Sequence, residues 1–501
     1  MKIAGVVARA TLPAALLASG CAPAPPPVRT VRIAYPHEIV TLDPHAHRDL
    51  VTGTVLAAVY EGLVRFDPGT PVRPWLADRW TTPDDRTWRL HIREGILFHD
   101  GRPLTPSDVV ASIERARASG ALGRELEEIE VVRELKNPEG VVEITTREPS
   151  PLLLALLQTV AVVPRDFDPS IPVGTGPYQW RVGSLQGPVL LGRWDGYWEK
   201  APDFEEVSVQ FVSVFEELAA LLHRRRVDVV ASVTVSYVAD HERDDESYQA
   251  WRVVATPPVN TTFLAINVSE EPLDDPRVRR AIDLAIDRRI LVEEAFPEGT
   301  VRATQSLVPP EVFGYSAGDG PRAADPELAR SLLAESGAAA GAPLDLDHFN
   351  RYPPFVDFLV ASLRTVGLEV EPRSLPYGPF YRSIEEAGSQ LYIFSWHFRV
   401  ADALPFLDTL VHSRNPLLGL GRFNGTAFSD PQVDTLIEDA AREPLTALRL
   451  ERLRRALGRT ADAHVYLPLF QPSNLALVSE SFVLDVAGRP LARPQDVRRA
   501  P

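Results

Sequence analysis

The sequence predicts a mixed α/β protein, and three observations carry that prediction. Strand-like alternation and helix-like periodicity follow one another along the chain, proline-capped helix starts recur at wide intervals, and no internal repeat of about 20–50 residues organises them. Solenoid and all-β architectures are therefore disfavoured. At roughly 150 residues per domain, 501 residues correspond to about three domains or lobes. With 45% apolar and 24% charged residues the composition is that of an ordinary folded, soluble protein.

The elements follow in chain order. Val31-Arg32-Ile33-Ala34-Tyr35 alternates as a strand. Between Thr87 and Ile92, Trp88, Leu90 and Ile92 alternate against Thr87, Arg89 and His91, and Ile96 and Phe98 continue after Gly95, which reads as a hairpin with one buried face. Thr105-Pro106-Ser107-Asp108 then opens a helix, with threonine as N-cap, proline in the first turn and an acid against the helix dipole. The opening Asp-Pro recurs at Asp275-Pro276, Asp325-Pro326 and Asp430-Pro431. Behind Asp430, Val433, Leu436, Ile437, Ala440 and Ala441 form one apolar helical stripe. Leu152 to Val163 is the most apolar run outside the N-terminus, but it is interrupted by Gln158 and is too short to span a bilayer, so it reads as a buried helix or strand pair.

Lys+Arg 52 against Asp+Glu 68 gives a net charge of −16, which argues against nucleic-acid binding. The single cysteine, Cys21, excludes an internal disulfide, a cysteine-built zinc site and a cysteine nucleophile in the folded body. Its surroundings are informative. Residues 1–20 carry Lys2 and Arg9 but no acid, then the apolar ATLPAALLA, then small residues, the pattern of a secretory signal. Leu17-Ala18-Ser19-Gly20-Cys21 resembles a bacterial lipobox, with Ala18 where leucine is preferred, and this implies lipidation of Cys21. The APAPPP that follows makes residues 21–29 a stiff tether.

Signatures of catalysis are missing. The chain has no GxSxG, no phosphate-cradling GxxxxGK[ST], no GxGxxG after a strand and no HExxH. His37, His45 and His47 would share one face of a strand, but Pro36 and Pro44 break the stretch into loop, so no metal site or cofactor is expected. No spacing singles out two carboxylates as a glycosidase pair. Trp194 and Trp198 would suit a sugar-stacking platform, although packing at a lobe edge explains them as well.

Motifs in register over more than 400 residues then point to a family. They are Leu42-Asp43-Pro44, Tyr60 to Leu63, Thr87 to Arg115 (TWRLHIREGILFHDGRPLTPSDVVASIER), Gly174 to Tyr178 (GTGPY), Asp195 to Trp198, Val227-Asp228-Val229, Phe263 to Ile286, Asp325 to Gly337, Leu363 to Val370, Trp396 and Leu467-Pro468-Leu469. The sequence resembles the bacterial extracellular solute-binding proteins of family 5, the oligopeptide- and dipeptide-binding components of ABC transporters. The resemblance implies an α/β, two-lobed periplasmic-binding-protein clamshell (type II, large cluster with an extra inserted subdomain). The first lobe is expected at 30–62, 173–266 and 466–490, the inserted subdomain at 63–172 and the second lobe at 267–465, with hinges at Gly174-Thr175-Gly176 and Ile266-Asn267.

The implied function is capture of a peptide or related small solute between the lobes by a monomer, for delivery to membrane permease subunits, with no chemistry done on the ligand. An exported receptor for a sugar or metal chelate, an exported glycan hydrolase and a sensing role are the alternatives. In peptide-binding relatives the ligand lies extended between the lobes. The resemblance places Glu38, Ser232 and Thr234 on the first-lobe side and His348 and Asn350 on the second-lobe side. Relatives carry an aspartate three residues after the tryptophan equivalent to Trp396, which accepts the ligand's ammonium group. In Trp396-His397-Phe398-Arg399-Val400-Ala401-Asp402-Ala403-Leu404-Pro405, counting forward from Trp396 puts Arg399 there, whereas counting back from Pro405 puts Asp402 within one residue. The expectation is that Asp402 supplies the carboxylate. If Arg399 faces the cleft instead, an ammonium is repelled and an anionic or sugar-like ligand is favoured.

Overall fold

The computed structural model describes residues 29–67, 70–235, 237–238, 250–318, 320–338, 343–349, 354–486 and 491–500. Cys21, the signal, the tether up to residue 28 and Asn350 lie outside the described residues.

Two large sheets organise the chain. One has seven strands in the order Tyr178–Val182, Val189–Arg193, Glu206–Phe211, Thr30–Tyr35, Val229–Val233, Leu475–Ser479 and Trp251–Ala255. Thr30–Tyr35 lies parallel to both of its neighbours, so neither of its edges is free, and apolar cores bury Val31, Ile33, Ala34 and Tyr35. The other sheet has six strands in the order Val301–Ala303, Tyr466–Pro472, Asn260–Ile266, Leu391–His397, Leu344–Phe349 and Val370–Leu375. Separate apolar cores cover its two faces, one around Leu264, Ile282 and Leu359 and one around Phe263, Phe406 and Tyr466.

The Asp-Pro openings form as the sequence predicts. Asp275, Asp325 and Asp430 each cap a helix whose first turn holds the proline, and Thr105 with Asp108 makes a capping box. In Pro431–Arg442, Val433, Leu436, Ile437 and Ala440 are buried. Leu152 to Val163 becomes the short helix Leu153–Leu157 and the strand Ala161–Val162.

A third body is a four-stranded sheet, Ala77–Thr81, Thr87–Ile92, Val141–Thr146 and Ile129–Leu135, covered by the helix Pro106–Ala118. Trp88, Leu90 and Ile92 are buried as their alternation predicts. The hairpin reading needs correction, however: Thr87–Ile92 pairs with Ala77–Thr81 and Val141–Thr146, whereas Ile96 and Phe98 turn back onto Leu104 and Arg102 through Leu104 N–H to Ile96 O (2.9 Å) and Phe98 N–H to Arg102 O (2.8 Å).

The lobe boundaries also shift. Asn260–Ile266 is a central strand of the six-stranded sheet, paired from Asn260↔His397 to Ile266↔Leu391. The chain therefore crosses between lobes at 256–259, before the expected Ile266-Asn267. It returns at Ser473-Asn474, because Tyr466–Pro472 still belongs to the six-stranded sheet and Leu475–Ser479 to the other. The two crossovers touch: Thr256 N–H donates to Asn474 O at 2.8 Å. Paired adjacent crossovers of this kind are what a hinge requires. Beyond residue 490, Leu491, Ala492 and Val497 continue the first-lobe core, so that lobe extends to the C-terminal strand Val497–Arg499.

Gly174-Thr175-Gly176 is not a lobe crossover. It leads from the inserted body into the seven-stranded sheet and is pinned there, with Gly176 N–H donating to Val59 O (2.9 Å) and Tyr178 N–H to Ala58 O (3.0 Å). A Cβ at Gly174 would lie 2.0 Å from Val59 O and one at Gly176 2.5 Å from Ala58 O. Glycine is used here for close backbone approach, not for hinge freedom.

His45, grouped by sequence with His37 and His47, turns into the core at 0% exposure. Its Nε2 donates to Ala161 O (2.8 Å), and its Nδ1 accepts from Arg115 Nη1 (2.9 Å), whose guanidinium also grips Asp43. A proton on Nδ1 would set two donors against each other. Burial, opposed by the bond to Ala161 and reinforced by Arg115, lowers the pKa of His45 from 6.5 to about 4. Above pH 6.5 the group is neutral in both folded and unfolded chains. As pH falls toward 4 the unfolded chain takes up a proton that the fold refuses, so stability declines by about 3 kcal/mol across that window. Urea unfolding at pH 7.5 and 4.5 should show the decline, and His45→Asn should flatten it by about that amount.

Candidate functional site

Between the lobes the structure forms a cleft with two adjoining cavities, of about 570 and 670 Å³. Both are lined by Leu50, Ala57, Tyr60, Glu61 and Gly62 at the end of the Leu50–Leu56 helix, by Gln158 of the inserted body, by Arg493 of the C-terminal segment, and by His397 and Arg399 of the second lobe. Every body thus contributes a wall. The volumes suit a small solute.

The wall opposite the first lobe is set by the strand Leu391–His397. Its pairing with Asn260–Ile266 carries the chain to the cleft edge, where Phe398 N–H donates to Val259 O at 2.9 Å beside the crossover. Phe398 is buried and Arg399 is exposed in the cleft. Arg399 Nη2 reaches across to the backbone oxygen of Arg48 at 3.3 Å, a hydrogen bond between lobes. No carboxylate lies within ion-pairing distance of Arg399 among the described residues. Burial, and then the Arg399 charge, lowers the pKa of the neighbouring His397.

Asp402 does not reach the cleft. Its side chain is 1% exposed and forms a bidentate ion pair with Arg449, at 2.6 Å from Nη1 and 2.9 Å from Nη2. Leu404 N–H also donates to it at 2.9 Å. The expected ammonium-binding role for Asp402 is therefore corrected: both of its oxygens are taken, and the pair anchors the loop that presents Arg399. Of the two countings, the forward one from Trp396 lands on the residue that lines the cavities, Arg399.

The other sequence-predicted residues are dispersed. Glu38 is exposed in the loop after Thr30–Tyr35, Ser232 lies in Val229–Val233, and Thr234 just beyond it accepts from Tyr237 N–H at 3.1 Å. His348 is buried at 1% exposure in Leu344–Phe349. Trp396 is half-buried against Phe406, and its Nε1 has no hydrogen-bond partner. Of the predicted set, Arg399 lines both cavities and Phe398 the 570 Å³ one; Glu38, Ser232, Thr234, His348, Trp396 and Asp402 line neither.

Sequence reasoning missed Glu61. Its carboxylate is enclosed by four donors: Trp75 Nε1 (2.7 Å) and Tyr197 OH (2.9 Å) on Oε1, Trp198 Nε1 (3.0 Å) and Thr175 Oγ1 (2.9 Å) on Oε2. Burial raises its pKa despite these bonds. Trp75 and Trp198 meet edge-to-face at 4.8 Å, and Arg65 stacks on Trp75 at 3.9 Å. Trp198 is thus packing with a polar handle. Trp194 meets His99 edge-on at 5.8 Å. Among the described residues no cluster of three or more histidine, cysteine or acidic side chains could hold a metal ion, and no helix is long and apolar enough to cross a membrane.

Two α/β lobes joined by adjacent crossovers, with cavities walled from both, define a type II periplasmic binding protein carrying an inserted subdomain. The comparisons give the family: the model for bacterial extracellular solute-binding proteins, family 5 (middle region), matches residues 71–416, and the chain belongs to that family. It is 27% identical over 449 residues to the glutathione-binding protein GsiB of Escherichia coli O1:K1, covering 84% of this chain and 85% of that protein. Its fold matches a nickel ABC transporter protein from Bacillus halodurans (TM-score 0.79, 22% identity, 91% and 96% of the two chains). It also matches the periplasmic binding protein DppA of Helicobacter pylori in complex with the peptide STSA (TM-score 0.67, 20% identity, 94% and 98%). Proteins of this family are extracytoplasmic binding components of ABC importers.

Proposed function

We propose that this protein is the receptor of an ABC importer for short peptides, which it closes upon between its lobes and hands unaltered to membrane permease subunits. The observation that carries the reading is the cleft itself, with cavities of about 570 and 670 Å³ walled by both lobes beside the touching crossovers at 256–259 and 473–474. The glutathione-binding relative and the peptide-bound structural neighbour support a peptide as the solute. Anchoring through lipidated Cys21 is part of the proposal, resting on the lipobox-like Leu17 to Cys21; a mature N-terminus elsewhere, without lipid mass, would remove it.

Closure gives the test. A ligand that binds only the folded state stabilises it by RT ln(1 + [L]/Kd), about 2.7 kcal/mol at a 100-fold excess over Kd. A library of di- to tetrapeptides, glutathione included, should contain members that raise the melting temperature and reduce the radius of gyration in X-ray scattering. A library without one such member would contradict the peptide-receptor reading.

A further inference from the structure

We propose that the exposed basic turn at 223–226, at the far end of the first lobe from the cleft, rests on the anionic phospholipid headgroups of the membrane to which Cys21 tethers the chain. The inference rests on the anchor part of the reading above and adds a second membrane contact beside it.

The turn is built by the helix that precedes it. Phe215–His223 ends in a Schellman motif, with Arg225 N–H donating to Leu222 O (3.0 Å) and Arg226 N–H to Leu221 O (2.9 Å). Arg225 is held at φ +50°, a conformation that glycine adopts without strain and an arginine does not. His223, Arg224, Arg225 and Arg226 are all exposed, and none of the three arginines has an ion pair among the described residues. The helix dipole favours a cation in the last turn, but it does not ask for an arginine at the left-handed position.

The turn also sits where the chain enters the fold. It leads into Val229–Val233, which runs parallel to Thr30–Tyr35 with Ile33 opposite Val229, and Asp228 N–H donates to Arg32 O at 2.8 Å. Counting back from that register brings Arg29 level with the turn on the neighbouring strand. The crossovers lie at the other end of the sheet, because Trp251 stands opposite Ser479 and Ser479 N–H donates to Asp228 O at 3.0 Å. From Arg29 back to Cys21 is about 25 Å at roughly 3.1 Å per residue of proline-rich tether. An anchor at Cys21 therefore brings this end of the lobe, and not the cleft, to the bilayer.

The acids nearest the turn are mostly engaged. Glu205 pairs with Arg29 at 3.5 Å and Asp228 with Arg32 at 2.6 Å, Glu206 accepts from Thr30 Oγ1 at 3.1 Å, and Glu480 is exposed. A chain of net charge −16 is repelled by an anionic surface except where cations gather, and three unpaired arginines gather here. Each basic residue within a Debye length of an anionic leaflet strengthens partitioning by roughly fivefold.

Partitioning of the full mature chain onto vesicles tests the contact. Cys21 is the single cysteine, so one 14-carbon acyl maleimide can be coupled there alone. One such chain gives marginal, reversible binding that a basic patch makes stable. Because the anchor is imposed chemically, native lipidation can fail without touching this result, and this contact can fail without touching lipidation or the receptor reading. On vesicles of phosphatidylcholine with one quarter phosphatidylglycerol, wild type should bind about tenfold or more tightly than the combined Arg224→Gln, Arg225→Gln and Arg226→Gln variant. On pure phosphatidylcholine the two should bind alike. Arg225→Gly should raise the melting temperature by relieving the left-handed arginine, yet weaken binding to the anionic vesicles about fivefold, a combination that a merely structural arginine does not give. Equal binding of wild type and the triple variant to the anionic vesicles overturns the inference; the five acids of 240–246, which lie outside the described residues, would produce that result by neutralising the turn. An equal loss on both kinds of vesicle would mark the arginines as structural and overturn it too.

Discussion

Replacing Asp402 by alanine is expected to destabilise the second lobe by about 3–5 kcal/mol, the cost of leaving a buried charge without its partner. The partner is Arg449, whose side chain is 4% exposed and whose Nη1 and Nη2 both bind Asp402. Its other contacts, Nε on Ala440 O at 3.2 Å and the guanidinium over Phe313 at 5.3 Å, cannot neutralise it. Because the arginine cannot give up its proton at any ordinary pH, the penalty falls in full. Arg449→Met should cost about as much for the mirror reason, whereas Asp402→Leu with Arg449→Met should recover most of the loss, since replacing both members of a buried pair by apolar groups is often neutral. Chemical denaturation of wild type, Asp402→Leu, Arg449→Met and the double variant closes this cycle. If Asp402 instead served the ligand, Asp402→Ala would leave unliganded stability within about 1 kcal/mol of wild type and abolish selectivity for a free ammonium. That outcome would reverse the assignment.

This pair also shows where the sequence was legible and where it was not. Local signals translated directly: the Asp-Pro caps, the alternation of Trp88, Leu90 and Ile92, and the stripe of Pro431–Arg442 each rest on neighbours within one or two turns. The partner of Asp402 lies 47 residues away, on the helix Thr446–Asp462, and no local pattern announces it. The lobe boundary failed for a related reason. Asn260–Ile266 is apolar and strand-like whichever sheet it joins, and only its pairing with Leu391–His397 decides the lobe. Arg399 was legible because its position is fixed by counting from Trp396 along a single strand end. Glu311 and Arg493 were not, since each is an ordinary loop residue until the fold brings it to the cavity. For Glu61 one signal existed, an acid inside the apolar run Val59 to Val64, where a charge needs compensation from elsewhere in the fold.

That compensation makes Glu61 the second position where a single change should have a large effect. Glu61→Ala is expected to cost about 4 kcal/mol, because it orphans several donors at once and each buried unsatisfied group costs about 1–3 kcal/mol. Trp75 and Trp198 present indole N–H groups, which donate only and have no second acceptor in this packing, and Thr175 is 0% exposed. Tyr197 lines the 570 Å³ cavity, so its hydroxyl can turn to water and should add little. Glu61→Gln keeps the volume and one acceptor oxygen but turns an N–H₂ toward two donors, and roughly half the loss is expected. The effect should extend to binding. Trp75 lines the cavity and carries Arg65 at 3.9 Å, Gly62 pairs with Ala161 of the inserted body, and Thr175 belongs to the segment pinned on Val59. Loosening the carboxylate therefore loosens the junction of first lobe and insert that forms one cleft wall. Denaturation should report the stability loss, and calorimetry with whichever peptide binds wild type should report weaker affinity for Glu61→Ala even at temperatures where the variant is fully folded. Stability within about 1 kcal/mol of wild type would mean that water replaces the carboxylate among its four donors, and the junction would then owe its rigidity to the Trp75–Trp198 contact and the backbone bonds that pin Gly176 and Tyr178.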